Sequence, residues 1–240
     1  MTNLLSPPTP RPASGPRRLG FAWRCLGTVL LATAPLTLTG CINAVAMTYK
    51  VLKGDPVTPA AYKVRNGVEL TDGKQIVAVV VDAPYSALNI HDSLVVDLQD
   101  EMLRRFRLEG IATADVDEVS RQLEDRGGQF DPTAIAQNMD VDLIVHVQVE
   151  RFSDTEPGGG NFYRGRAESM VRAFEVRGER GSSDRHVVET FQQDVLTLHP
   201  ETYPLPADQT PRRVFMQKFV NRMGGDIAQQ FYDVTTSQLF

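Results

Sequence analysis

The sequence predicts an α/β fold, a single three-layer-like domain with a mixed sheet flanked by helices, and three observations carry that expectation. "QIVAVVVD", residues 75–82, is a continuous β-branched run, as a strand needs when helices cover both of its faces. Leu94, Val95, Leu98, Met102, Leu103 and Phe106 recur at three- and four-residue spacing, the period of an amphipathic helix. In the second half, "YRGRAESMVRAFEVR" and "HVVETFQQDVLTL" read as two long strands lying antiparallel to each other.

The elements follow in chain order. Residues 1–40 hold Arg11, Arg17, Arg18 and Arg24, no acidic residue, and five prolines before Arg17 that exclude a packed helix there. The uncharged stretch "CLGTVLLATAPLTL" from Cys25 is shorter than the roughly 20 residues that cross a bilayer and suits the core of a signal peptide. It ends in Leu38, Thr39, Gly40 and Cys41, which resemble the lipobox of bacterial lipoproteins, where the cysteine is acylated and the chain is cut just before it. The resemblance implies a lipoprotein signal peptide over residues 1–40 and lipidation at Cys41. The alternative is a single-pass membrane protein with residues 19–40 uncleaved. Two or more acyl chains on one cysteine give stable anchoring. Ile42 follows the cysteine, and the enterobacterial sorting rule then points to the outer membrane, facing the periplasm.

Residues 41–73 read as a lipidated tether, with turn formers at Gly54-Asp55-Pro56 and Pro59, and a small hairpin is expected across Asn66-Gly67. The α/β domain is expected over residues 74–240. After the strand at 75–82, a helix over residues 89–108 carries Asp92 and Asp97 early and Arg104, Arg105 and Arg107 late, complementing its dipole, and stops at Gly110. "IATA", 111–114, suits a short strand. Val116, Val119 and Leu123 mark a short helix closed by Gly127-Gly128. Asp131-Pro132 reads as an N-cap followed by proline at the first helical position, and it opens a helix that feeds a strand over 141–152. Thr210-Pro211 reads the same way before a long last helix, whose stripe is Phe215, Phe219, Met223, Ile227 and Phe231. By propensity, Gly224-Gly225 weakens that helix by about 1 kcal/mol per residue.

This order of elements resembles the α/β domain shared by the curli secretion-channel lipoprotein, the lipoprotein activator of penicillin-binding proteins and the amino-terminal domain of the Tol-system translocation protein. The segments that carry it are "IVAVVVD", "DLQDEMLRRFRLEGIATA" and "DPTAIAQNMDVDLIVHVQVERFSD". The resemblance implies a binding module in the cell envelope. It departs from the pore-forming member, because neither face of the strand beginning at Tyr163 could sit in lipid: one face carries Arg164, Arg166, Glu168 and Arg172.

Composition and motifs narrow the chemistry. The chain has a net charge of −5, and removing residues 1–40 takes away four arginines and no acid, so the mature surface is more acidic still and unsuited to nucleic acid. His91, His146, His186 and His199 are isolated in sequence, with no metal-ligand spacing and no cysteine beside them in the mature chain. His146 reads as a satisfied sheet histidine. "EPGGGN", 156–161, lacks the lysine and hydroxyl residue of a phosphate loop and precedes no helix. No cofactor, metal or catalytic residue is assigned. Arg164, Arg166 and Arg172 either pair with Glu168 and its neighbours inside the sheet or present a partner surface. The reading is therefore a membrane-anchored, non-catalytic protein-binding or assembly module whose partner is another envelope protein. An oligomeric component of an envelope export channel, with homo-oligomers, is the alternative, and a hydrolase using His146 or His186 is the third reading.

Overall fold

The computed structural model describes residues 56–235 apart from 157, 159, 180, 181 and 183. Leu38, Thr39, Gly40 and Cys41 lie outside the described residues, as does the rest of the signal peptide expected over residues 1–40. The folded unit begins at Val57.

Its elements are β1 (Val57–Thr58), α1 (Ala61–Asn66), β2 (Ile76–Asp82), α2 (Tyr85–Leu88), α3 (Leu94–Leu108), β3 (Ala112–Thr113), α4 (Val116–Glu124), α5 (Pro132–Asn138), β4 (Leu143–Thr155), β5 (Phe162–Arg177), β6 (His186–His199), β7 (Leu205–Pro206), α6 (Arg212–Ala228) and β8 (Val234–Thr235). The main sheet has the order β3-β2-β4-β5-β6, with β7 added on β5. β2 runs parallel to β3 and β4, while β4, β5 and β6 are successive antiparallel neighbours. The sheet is mixed, and helices flank both faces.

The β2 run is buried along Val77, Ala78, Val79, Val80 and Val81 because it has a core on each side. Val77, Val79 and Val81 face the larger core with α3 and α6; Ala78 and Val80 face the smaller one with α4 and α5. α3 buries Leu94, Leu98, Met102, Leu103 and Phe106, each worth about 1.5–3 kcal/mol of transfer free energy. α6 buries Phe215, Phe219, Met223 and Ile227, and Phe231 of the same stripe packs just beyond its end against Phe106. On β5, Gly165, Ala167, Ser169 and Val171 face this core and alternate with the arginines, as the period of two requires. At Gly165 the chain passes under Phe219 so closely that a Cβ would lie 2.5 Å from the ring.

Asp131 caps α5 as its sequence indicated, accepting from the amides of Thr133 and Ala134, and Asp115 caps α4 in the same way. Several expectations are corrected. No hairpin forms across Asn66-Gly67: residues 61–66 are helical, and Gly67, at φ 69°, closes α1 as its left-handed C-cap. α1 is fixed by Tyr62, which is buried against Phe191 and Phe231, and Leu70 is buried as well, so residues 57–73 belong to the folded unit and the boundary expected at 73/74 moves to 57. The helix expected from residue 89 begins at Leu94, because the chain leaving α2 turns around His91 over the intervening residues. Pro211 stands at the N-cap of α6 instead of its first turn, and Thr210 supplies no cap. α6 continues through Gly224 and Gly225 without a break.

Candidate functional site

The two long helices of the larger core frame a concave feature. At one end Arg212, in the first turn of α6, donates to the carbonyl of Ile90 just ahead of α3 at 2.6 Å and to Asp154 Oδ2 at 2.8 and 3.0 Å. At the other end the helices touch through glycine: a Cβ on Gly224 would lie 2.6 Å from Glu101 Cγ, and one on Gly225 would lie 2.9 Å from Arg105 Cζ. The helices therefore run in the same direction, meet at their C-terminal halves and leave a groove of about 590 Å³ between their N-terminal halves. That volume falls within the 300–1,000 Å³ of ligand sites. Met216 and Val220 form its apolar floor.

Most of the charged groups around the groove have a hydrogen-bond partner close by. Asp97 Oδ2 accepts from His91 Nε2 at 2.6 Å and from Ser93 Oγ at 2.7 Å. Both groups donate to one oxygen, so His91 Nε2 has no lone pair with which to take a proton from Ser93, 3.3 Å away, and the trio lacks the base-to-nucleophile link of a hydrolytic triad. Glu101 is buried, which by itself would raise its carboxyl, but hydrogen bonds from Arg104 and Arg105 outweigh burial and hold it below its ordinary value. Two charges remain. Asp100 on the α3 wall and Arg213 on the α6 wall, both exposed, have no partner among the described residues.

The arginines singled out from the sequence lie on the opposite face of the sheet and do not form one free patch. Arg164 and Arg166 both turn to Glu156, at 3.3 and 3.7 Å. Glu168 takes Arg151 on the neighbouring strand. Arg172 donates to His146 Nδ1 at 3.1 Å and lies over the Phe174 ring. Because Nδ1 accepts, His146 carries its proton on Nε2 and donates it to Asp82 Oδ2 at 2.7 Å. Phe130 stacks on the imidazole at 3.8 Å. His146 is thus a satisfied sheet histidine, with no serine, threonine or cysteine among the partners of its ring. His186 Nδ1 lies 3.2 Å from the carbonyl of Asp184, and burial pulls His199 below its ordinary value beside Lys218 and Arg222. Among the described residues no cluster of histidine, cysteine, aspartate and glutamate could hold a metal ion.

Sequence reasoning found Asp97 and Arg104 as dipole partners of a helix but missed the groove. Its two walls lie more than 100 residues apart in the chain. The available signal was the Gly224-Gly225 pair in an otherwise apolar helix face, which marks a close approach.

No protein-family model and no curated protein matches the chain. Solved structures do. A hypothetical protein of Chlamydia trachomatis is 18% identical, with a TM-score of 0.38, covering 64% of this chain and 98% of that one. A PelC dodecamer from Paraburkholderia phytofirmans is 9% identical, with a TM-score of 0.36, over 74% of this chain and 97% of the other. A lipoprotein of Neisseria meningitidis is 9% identical, with a TM-score of 0.34, over 54% and 87%. No helix among the described residues is long and apolar enough to cross a membrane.

Proposed function

We propose that this protein is an envelope lipoprotein, held in the outer membrane through acylated Cys41, whose α/β domain binds another envelope protein without catalysing a reaction. The observation that carries the reading is the order basic leader, short apolar core, Leu38, Thr39, Gly40, Cys41, followed within a short stretch by a domain that is folded from Val57 onward. His146 supports a binding role, because its Nε2 donates to Asp82 and its Nδ1 accepts from Arg172, which leaves neither ring nitrogen to activate a nucleophile. Anchoring raises the local concentration of the domain beside a membrane-bound partner, which strengthens association without new contacts.

The test is membrane fractionation and crosslinked pull-down of the tagged protein beside Cys41→Ala. A defined partner captured from the membrane fraction, and lost when the variant moves to the soluble fraction, is the expected result. A large homo-oligomer with no partner would replace this reading with the export-channel one, and a soluble monomer in both samples would refute the anchor.

A further inference from the structure

We infer that the groove between α3 and α6 takes an extended peptide segment of the partner in which a basic and an acidic residue are adjacent. This deepens the binding-module reading and rests on it. The charge pattern selects the occupant. Every other ionised group at the groove has a hydrogen-bond partner, whereas Asp100 and Arg213, on opposite walls above the Met216–Val220 floor, have none among the described residues. A purely acidic segment would meet Asp100 and a purely basic one would meet Arg213, so either is disfavoured. Successive side chains of an extended chain point to opposite sides, so neighbouring residues of opposite charge reach both walls at once. Gln217 and Asn221 on the α6 wall add side-chain amides that can bond the peptide backbone. The groove keeps its shape without a ligand, because Arg212 fixes its open end to Ile90 and Asp154 and the glycine contact with Glu101 fixes the closed end.

The probe is the hexapeptide trifluoroacetyl-Ala-Leu-Lys-Glu-Val-Ala-amide, titrated with detergent-solubilised full-length protein and followed by fluorine NMR. Asp100→Arg and Arg213→Asp each reverse one wall, and the double variant exchanges them. Both residues are exposed and unpartnered, so an unchanged Tm verifies that the variants fold. The expected result is that each single reversal weakens binding by about tenfold or more, that the exchange restores it to within about threefold, and that replacing the peptide's lysine or glutamate by glutamine weakens it similarly. Absence of binding to the unaltered protein, equal binding to the single variants, or failure of the exchange to restore it would overturn the assignment. Peptide binding that persists in Cys41→Ala, in a protein whose unaltered form is never found with membranes, would defeat the anchored reading and leave the groove assignment standing.

Discussion

Replacing Gly224 by alanine sets two opposing effects against each other, and the geometry decides the sign. In a solvated helix, Gly→Ala stabilises by about 1 kcal/mol. Here the new methyl would sit 2.6 Å from Glu101 Cγ and 3.1 Å from Glu101 Cβ, where ordinary contact begins near 3.4 Å. Glu101 cannot swing aside cheaply, since Arg104 Nε and Nη2 and Arg105 Nε all donate to its carboxylate at 2.7 Å and the residue is only 7% exposed. Overpacking of a close-packed site costs about 1–3 kcal/mol, and abandoning a hydrogen bond to a charged group costs about 1.5–3 kcal/mol. The net expectation is a loss of about 1–2 kcal/mol, which in a domain of this size lowers Tm by about 2–8 °C.

Urea denaturation of residues 42–240, followed by far-ultraviolet circular dichroism, measures it; the only tryptophan, Trp23, lies outside that fragment and supplies no signal. The paired measurement repeats the change in Glu101→Ala, where the Cγ clash is gone and only the 3.1 Å contact remains. In that background Gly224→Ala should be neutral or stabilising, a coupling of about 1 kcal/mol or more. A Gly224→Ala protein as stable as the unaltered one, or equal effects in both backgrounds, would refute the claim that glycine is there for helix contact.

Gly165→Ala should cost about 2–3 kcal/mol in the same assay, because Phe219 is fully buried between Phe152 and Phe215 and cannot retreat from a Cβ at 2.5 Å. Asp131→Ala should remove about 1 kcal/mol by orphaning the amides of Thr133 and Ala134, and Asp131→Asn should restore most of it. Burial raises the Asp226 carboxyl above its ordinary value despite Arg222 and Thr197, so the folded chain holds that proton more tightly than the unfolded one, and this contribution is full at low pH and lost as pH rises through the raised value. Asp226→Asn should therefore stabilise at pH 7, with an advantage over the parent that vanishes in acid; denaturation midpoints across pH 3–7 would show it. His199 has the opposite sense, since burial lowers it and its contribution is lost as pH falls below 6.5; His199→Gln should flatten the stability curve between about pH 7 and 5.

Much of the fold was legible where local chemistry and tertiary packing ask for the same thing. The β-branched run of β2, the stripe of α3 and the Asp131-Pro132 start of α5 each need their observed conformation both alone and in the sheet. Asn66-Gly67 was different: a glycine with positive φ serves a hairpin turn and a helix C-cap equally, and the choice fell to Tyr62 meeting Phe191 and Phe231, contacts more than 120 residues away. Gly224-Gly225 was read through propensity alone, which has the wrong sign once α3 arrives. The arginine alternation on β5 was read correctly, but which acid each arginine meets depends on strand register, and the sequence does not display it: Glu168 pairs with Arg151 instead of an arginine of its own strand.

The pairing of β1 with β8 joins the first and last described strands in a ladder of two residues a side, reinforced where Asp233 accepts from the Ala60 amide and from Lys63. Under the anchored reading proposed above, a pull on the chain ahead of residue 57 would reach β1 first, and β1 is hydrogen-bonded to β8 and not to the main sheet. The small ladder would thus be the mechanical fuse of the molecule. When it parts, the load passes to α1, which Tyr62 holds against Phe191 and Phe231, before it reaches β2. Single-molecule stretching from residue 42 should show a short first extension ahead of the main rupture, and Asp233→Ala should lower the force of that first step alone.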